Sequence, residues 1–217
     1  MSRTMRVKGK GNLKVRPDMT RVSIFLSNIC KNYDEALSVS TGNSGLLRQI
    51  VSELGFAESD LKTVGFDVDV QNESYRDRND NWKKRFVGYK VSHSLKIDFE
   101  SDNDILGRLL GRIAACPAKP EFGISFFVKD TETAKNRLLG NAVRDAKVKA
   151  VVLAEASGVK LGDIRNIDYS WGEIRFESDR MPIAGELGYK EETRFDIDID
   201  PDDIAVSDTV TVEWEIL

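Results

Sequence analysis

The strongest constraint on the fold is a run of small and aliphatic residues spaced like one face of a helix. They recur every three or four positions: Ala134, Leu138, Ala142, Ala146, Ala150 and Leu153. This spacing places side chains on one side of an α-helix. Asp130 precedes the run as an N-cap, and Gly158 ends it because glycine accepts the left-handed conformation past a helix end. The alanines predict a helix that lies close against a β-sheet.

The residues after this helix match an earlier segment of the chain without a gap. When Gly55 is aligned with the glycine that ends the long helix, residues 60–64 align with residues 163–167. Each segment follows a helical pattern and opens a strand, and an apolar run precedes each helix, at residues 22–26 and 124–128. Such internal similarity indicates a duplicated supersecondary unit. We therefore predict an α+β fold of two βαββ repeats, with long helices packed on antiparallel sheets.

These patterns also predict the organisation of the chain. Residues 5–217 form a single domain built of the two repeats. The first βαββ repeat covers residues 5–100, a linking helix covers residues 101–119, and the second βαββ repeat covers residues 120–217. The linking helix ends at Pro117 because proline cannot continue a helix.

The second repeat contains an arm, residues 171–203, that has no counterpart in the first. It holds eleven acidic and four basic residues. It also carries apolar residues for which a free loop has little use: Trp171, Ile174, Phe176, Met181, Ile183, Leu187 and Phe195. Exposed together, they would form an apolar patch rimmed by charge, which is typical of a contact surface. We therefore expect a homo-oligomer with these residues at its interface, and with the basic loop at residues 72–85 as the complementary surface. The alternative is that the arm folds back on its own subunit.

Composition argues against several classes of protein. The 217 residues carry a net charge of −4, whereas nucleic-acid binders usually have a basic surplus, so we expect no nucleic-acid partner. No apolar run approaches the ~18 residues of a transmembrane helix. The first five residues are not followed by the apolar core of a signal peptide. As it stands, the sequence predicts a cytoplasmic protein, or a periplasmic or envelope protein from which a signal was removed.

Few residues are suited to catalysis or metal binding. A nucleophilic triad needs a base beside its nucleophile, but the only histidine, His93, lies on the apolar face of a predicted strand. Cys30 and Cys116 form no CxxC pair and are interpreted as small buried residues at element ends. The acidic run at residues 196–203 lacks the glycine and glutamate of an EF-hand loop. We assign no catalytic, cofactor-binding or metal-binding residue, and expect neither a cofactor nor a tightly bound metal.

A Gly-x-Gly pair, Gly9 and Gly11, lies inside the first predicted strand. Such a pair belongs to a phosphate-binding loop only where a third glycine opens a helix, and here the chain continues as another strand. The two glycines are therefore interpreted as a bend or bulge where glycine allows close backbone approach.

Several of these features together resemble one known family. They are Val7-x-Gly9-x-Gly11, the helix stop Leu54-Gly55-Phe56, Gly88-Tyr89 at the start of a long strand, and the alanines that lead to Gly158. In this order and spacing, over residues 5–217, they are similar to the SIMPL-domain family. Its members include bacterial periplasmic and outer-membrane-associated immunogenic proteins, an oxidative-stress defence protein and an animal partner of a pelle-like kinase. The resemblance implies a non-enzymatic module that forms large ring- or channel-like homo-oligomers, and it supplies no catalytic residue.

Two functions of different class remain as hypotheses. The first is a self-assembling structural or interaction protein, with a role in stress as one expectation and a protein partner that the sequence does not name. The second is a small-molecule-binding protein or an unrecognised enzyme that uses a cleft between the repeats. A symmetric interface larger than ~1,000 Å² would favour the first. An apolar pocket with converging polar groups would favour the second.

Overall fold

The computed structural model describes residues 3–77, 79–169, 172–183 and 199–217. These residues form three α-helices and eight strands in two antiparallel sheets. The strands are β1 (Thr4–Val15), β2 (Met19–Cys30), β3 (Lys62–Arg76), β4 (Trp82–Glu100), β5 (Glu121–Phe127), β6 (Leu161–Asp168), β7 (Met181–Ile183) and β8 (Ile204–Ile216). The helices are α1 (Tyr33–Glu53), α2 (Asn103–Ala114) and α3 (Thr131–Ala156). The chain divides into two compact units, each with its own sheet.

The first unit, here called the three-stranded unit, comprises residues Met1–Asp18, Phe127–Ser178 and Pro201–Leu217. Its sheet has the strand order β1-β8-β6. The long helix α3 packs across β1 and β8. Its alanines form an apolar core with residues of these strands: Val7, Ala142, Ala146, Ala150, Val210, Val212 and Trp214. The predicted sheet-covering helix is therefore present, and its small side chains form its buried face.

The glycines of β1 lie where α3 crosses the strand. A Cβ built on Gly11 would lie 2.3 Å from the carbonyl oxygen of Leu138, which no real side chain tolerates. The expected close backbone approach is therefore present. The expected bend or bulge is wrong, because β1 pairs with β8 without a register shift from Thr4↔Glu215 to Val15↔Ile204.

The ends of α3 follow the prediction, but one residue of its buried stripe does not. Asp130 is the N-cap, and its side chain accepts a hydrogen bond from the backbone N–H of Thr133 at 3.0 Å. Gly158 follows the helix with a φ of +68°. Leu153 was expected on the buried face but is 47% exposed, whereas Ala154 is buried. Burial along α3 recurs at strict four-residue intervals from Ala134 to Ala154, so the position after Ala150 that faces the core is residue 154 and not residue 153.

The second unit, here called the five-stranded unit, comprises residues Met19–Phe126 and Asp179–Asp200. Its strand order is β3-β4-β2-β5-β7. Helix α1 packs over β2 and β4 and against α2. The core is built mainly from aliphatic residues of these elements, among them Ile24, Leu47, Leu95, Leu109 and Ile124. On α1 itself Val39 and Leu46 are exposed, whereas Ser40 and Val51 are buried.

Within each unit the long helix and three strands follow the same order along the chain, although elements of the five-stranded unit separate β1 from α3 and β6 from β8. The five-stranded unit contains β2-α1-β3-β4 and the three-stranded unit contains β1-α3-β6-β8, with the last strand at the centre of three in each case. The α+β class, with long helices packed on antiparallel sheets, is thus confirmed. The duplication itself stays a prediction.

The strand assigned to the start of the second repeat differs from the prediction. Residues 124–128 were placed there, but β5 lies in the sheet of the five-stranded unit, next to β2. The strand at the equivalent position beside β8 is β1. The residues of the two strands account for β1, and not β5, lying beside β8. β5 is an almost continuously buried apolar strand that suits the interior of a sheet. Only the glycines of β1 fit against the alanines of α3.

Candidate interaction surface

The most exposed regular structure in the five-stranded unit is the hairpin formed by β3 and β4. Residues 72–85 were predicted as a polar loop or hairpin tip. Most of them are strand, because β3 continues to Arg76 and β4 begins at Trp82. The turn is organised by Asp77, whose side chain accepts hydrogen bonds from the backbone N–H groups of Asn79 at 2.9 Å and Asn81 at 3.0 Å. The result is a long hairpin at the edge of the sheet, with register shifts between Thr63 and Gly65 and between Gln71 and Asn72.

One face of this hairpin is apolar and uncovered. Side chains on a strand alternate between the two faces of the sheet, so Phe66 and Val70 share the face of His93 and Tyr89, their partners on β4. Helix α1 covers that face over β2 and β4, but β3 lies beyond it. Val70 is 56% exposed as a result. We call the exposed apolar residues on this face the hairpin patch: Phe66, Val70, Trp82 and Phe86.

Ring contacts hold the hairpin patch in place. Phe66 packs edge-on against His93, with the ring centroids 5.2 Å apart. Phe86 packs against Tyr89 at 5.4 Å, and Tyr89 packs against Tyr33, the first residue of α1, at 5.5 Å. Rings fixed in this way lose little side-chain freedom when a partner binds, which favours their use as contact residues.

The outer end of the hairpin is held by charged groups. The guanidinium of Arg76 lies 4.9 Å from the ring centroid of Trp82 and 2.8 Å from the carboxylate of Asp80. Lys83 pairs with Asp77 at 2.9 Å. The hydrogen bond from Lys83, together with that from Asn81, lowers the pKa of Asp77 below its usual value. Much of the positive charge predicted for this loop is therefore neutralised within the hairpin.

His93 lies at the inner end of the hairpin patch and is only 8% exposed. Its Nε2 atom is 3.0 Å from Oγ1 of Thr63, and its Nδ1 atom has no hydrogen-bond partner among the described residues. Burial, and secondly the charge of Arg48, lowers the pKa of the ring. The prediction of a histidine on an apolar strand face is correct. Its surroundings favour a neutral imidazole under Phe66.

The structure places the residues of the predicted arm interface in different surroundings. Phe176 is buried in the three-stranded unit, where its carbonyl oxygen accepts a hydrogen bond from the N–H of Val128 at 3.0 Å, and Ile174 packs on the same cluster. Met181 is exposed on β7, and Ile183 pairs through its backbone with Phe122. Trp171, Leu187 and Phe195 lie outside the described residues.

The burial of Phe176 removes it from any exposed patch. Its segment packs on its own chain, which is the alternative outcome expected for the arm. The sequence did not decide between the two because the same apolar residue suits a core or an interface. The remaining interface prediction stays untested.

A second exposed apolar surface lies on the C-terminal part of α3. We call it the helix patch: Val148, Val151, Val152 and Leu153. Val148 and Val152 are one helical turn apart and are 63% and 58% exposed. Sequence reasoning missed this surface because the buried alanines dominated the helical pattern. The sequence did contain a signal for this surface. The four residues of the helix patch are apolar and lie within six positions, 148–153, beside the buried alanines.

Over residues 3–77, 79–169, 172–183 and 199–217, no three His, Cys, Asp or Glu residues are placed to bind one ion. Cys116 is buried and Cys30 is partly buried at the end of β2, and both are free thiols. No helix among the described residues is long and apolar enough to span a membrane.

The fold therefore defines an α+β protein of two helix-on-sheet units, with apolar residues exposed on an edge hairpin and on one helix. The chain belongs to the SIMPL family, described as a protein of unknown function (DUF541), whose model matches residues 5–214. This confirms the resemblance inferred from the sequence motifs.

Two curated relatives from Brucella are similar to this chain. Each is described as a 26 kDa periplasmic immunogenic protein, one from Brucella abortus (strain S19) and one from Brucella melitensis biotype 1. The identities are 25% and 24% over 178 residues. In both cases the alignment covers 82% of this chain and 69% of the relative.

Proposed function

We propose that this chain is a non-enzymatic protein that assembles with copies of itself. The observation that supports this is the hairpin patch on β3, which is an outermost strand of its sheet. Contiguous apolar residues exposed on a regular, ordered element are typical of a protein contact surface. A second copy is always available as the partner, and the aromatic residues of the patch are of the kinds enriched at interfaces.

A comparison of two sheet edges supports an interface at β3. The edge of β1 is closed by α3, because the N–H of Lys10 donates to Asp145 at 2.7 Å and the carbonyl of Asn12 accepts from Asn141 at 3.0 Å. The edge of β3 extends over 15 residues, most of them exposed. Monomeric proteins normally cover, shorten or charge such an edge. The acidic residues of β3 lie on one face of this edge, but its other face is apolar and open, which fits a protein that covers that face by assembly.

The proposal of a non-enzymatic role rests on the surroundings of the only histidine. The nearest polar contact of His93 is the hydroxyl of Thr63, and the ring is covered by Phe66. A general base needs access to a substrate and a suitable nucleophile within hydrogen-bond reach. The alternative hypothesis, a ligand-binding protein or an unrecognised enzyme, would require polar groups that converge on a pocket.

We further propose that the protein works in the cell envelope. The support is the description of both relatives as periplasmic, since the family match extends over most of the chain. The exposed Met181 of the arm, with the arm residues outside the described ranges, remains a proposed second contact between copies.

The test of self-assembly is the mass of the full chain in solution. Sedimentation velocity from sub-micromolar to tens of micromolar should show species heavier than the 24.4 kDa monomer, with a fraction that rises with concentration. A monomer across the whole range would overturn the proposal.

A further inference from the structure

We propose that His93 makes the inner segment of β3 an acid-sensitive latch. The inner segment is here residues 62–66, which pair with β4 from residue 96 to this histidine. The segment lies closed against β4 while the ring is neutral, and it opens when the ring takes up a proton. The inference concerns a single copy of the chain, so it goes beyond the proposed self-assembly and does not depend on it.

The inner segment is held by few contacts. β3 is an outermost strand, so the segment has one neighbouring strand, and its register with β4 shifts between Thr63 and Gly65. Val64 is 65% exposed and Phe66 is 48% exposed. Segments with few buried contacts open locally at a lower free energy than the core. The inner segment can therefore open while β2, which lies between β4 and β5 and packs against α1, stays in place.

His93 connects the inner segment to the sheet through two contacts. Its Nε2 atom lies 3.0 Å from Oγ1 of Thr63, and its ring packs edge-on against Phe66. The residue is only 8% exposed, and its Nδ1 atom is buried without a hydrogen-bond partner among the described residues. A neutral imidazole thus leaves one polar atom unpaired in the closed segment, which costs about one hydrogen bond.

A proton on the ring makes the closed segment much less favourable. Both ring nitrogens are then donors, so the Nδ1–H group is buried without an acceptor and the ring carries a charge in an apolar site. A buried charge needs a partner or water. Phe66 covers the ring and belongs to an edge strand, so movement of the inner segment away from β4 brings water to the ring without opening the core.

The strands around His93 offer no carboxylate to pair with a protonated ring. Its partners on the neighbouring strands are Leu26 of β2 and Phe66 of β3, both apolar. The acidic residues of the adjoining part of β3, Asp67 and Asp69, lie on the opposite face of the sheet. On the face of the ring, β2 and the part of β4 from residue 88 onward carry a thiol and a phenol as their other titratable groups: Cys30 and Tyr89.

Helix α1 contributes a positive charge near the ring. The guanidinium of Arg48 donates to the carbonyl oxygen of Glu58 at 2.8 Å, and it makes no ion pair within the part of the chain that the structure describes. Burial first, and this charge second, lower the pKa of the ring. The acidic residues of α1 lie in its first turn and at its last residue: Asp34, Glu35 and Glu53. The closed segment therefore disfavours the proton, and the open segment, with the ring in water, accepts it.

This difference sets the size of the effect. In the open segment the ring titrates near its ordinary pKa of about 6.5. If the ring stays neutral in the closed segment, the ratio of open to closed molecules rises about 25-fold between pH 7 and pH 5. That figure is an upper limit, because any uptake of protons by the closed segment reduces it.

Hydrogen exchange of the full chain measures the opening. The chain is labelled at pH 7 and pH 5 at sub-micromolar concentration, and the rates are corrected for the direct effect of pH on amide exchange. Peptides that cover residues 62–66 should exchange up to about 25-fold faster at pH 5. Peptides from α1 and β2, which require larger openings, should remain protected over the same labelling time.

Three variants identify the group that titrates. H93Q carries no titratable ring, so the acceleration at pH 5 should disappear. R48Q removes the positive charge that disfavours the proton in the closed segment, so its acceleration should be smaller than in the unmodified chain. R48K keeps the charge and is the matched control, with an acceleration like that of the unmodified chain. The ratio of rates at the two pH values is compared, because it cancels any loosening present at both.

Circular dichroism establishes that each variant is folded. Acceleration that persists in H93Q would show that another group titrates and would overturn the inference. Acceleration that extends equally through α1 and β2 would overturn it as well, because the whole unit would then open. So would equal rates for residues 62–66 at pH 7 and pH 5 in the unmodified chain.

Discussion

Gly9 of β1 and Ala142 of α3 are in direct backbone contact. A Cβ built on Gly9 would lie 2.1 Å from the carbonyl oxygen of Ala142 and 2.6 Å from the backbone nitrogen of Ala146. Because these are backbone atoms, no side-chain change on the helix could make room for a larger residue. The strand and the helix can therefore lie this close only because Gly9 has no Cβ methyl group.

We expect Gly9→Ala to destabilise the protein by about 3 kcal/mol, the upper end of the usual cost of overpacking, because the whole helix must move away from the strand. Urea unfolding followed by circular dichroism measures the change. Gly42→Ala is the matched control, since Gly42 lies within α1 and has open space around its Cβ position. It should raise stability by roughly 0.5–1 kcal/mol through helix propensity. Equal effects of the two substitutions would contradict the close contact.

The buried imidazole of His93 should make stability fall in mild acid. Burial lowers its pKa in the folded state below the value of about 6.5 in the unfolded chain. In the window between the two pKa values the unfolded chain binds more protons, so the free energy of unfolding decreases as the pH falls through about 6.5. Above that pH the group is neutral in both states and contributes no pH dependence.

This prediction can be measured directly because the chain has one histidine. Its imidazole proton signals should titrate below pH 6.5 by NMR, and the difference in unfolding free energy between pH 7.5 and pH 5 should shrink in His93→Gln. The variant removes the titrating group, whereas the carboxylates, which titrate mainly at lower pH, are the same in both proteins. A folded-state pKa at or above 6.5 would contradict the assignment.

The hydrogen bond from the N–H of Lys10 to Asp145 closes the edge of β1. We expect Asp145→Ala to speed hydrogen exchange of the Lys10 amide, because the N–H loses its partner and faces solvent. Lys149→Ala is the control: it removes the lysine that pairs with Asp145 at 2.6 Å but leaves the bond to Lys10 intact. Equal exchange at Lys10 in the two variants would show that Asp145 does not protect this edge.

The same carboxylate provides a check by pH. The pKa of Asp145 is lowered, first by its hydrogen bond from Lys149 and secondly by that from Lys10. A lowered pKa means that the ionised form is favoured by folding, so its contribution is present near neutral pH and is lost only as the pH falls through the folded-state value. Protection of the Lys10 amide should therefore persist from pH 7 to pH 5.

Local patterns predicted the elements better than they predicted their partners. The alanine spacing of α3, its Asp130 cap and the contact of Gly9 and Gly11 with a neighbouring backbone all follow from the residues themselves. The pairing of β1 with β8 does not, because β1 and the run at residues 124–128 are both extended segments and neither carries a local signal for its partner strand. Which of them joins which sheet depends on packing across the whole chain.

The candidate surface was hard to predict for a related reason. Whether Val70 and Phe86 are buried depends on how far α1 reaches across the sheet, and α1 stops at β4. Leu153 and Ala154 fit a 3.6-residue period about equally well, so the pattern alone could not separate the exposed residue from the buried one. For Phe176 the prediction was wrong in the opposite direction. It was expected to be exposed at an interface, but it is buried against its own chain.

The pairing of Thr4 with Glu215 has a consequence for biosynthesis. Among the described strands β1 is translated first and β8 last, so the glycine strand waits unpaired while the strands between them are made. Meanwhile β2, α1, β3 and β4 are contiguous and can fold as soon as they emerge. The three-stranded unit closes only after β8 has emerged. A product truncated before Ile204 would therefore keep β1 exposed to chaperones and proteases.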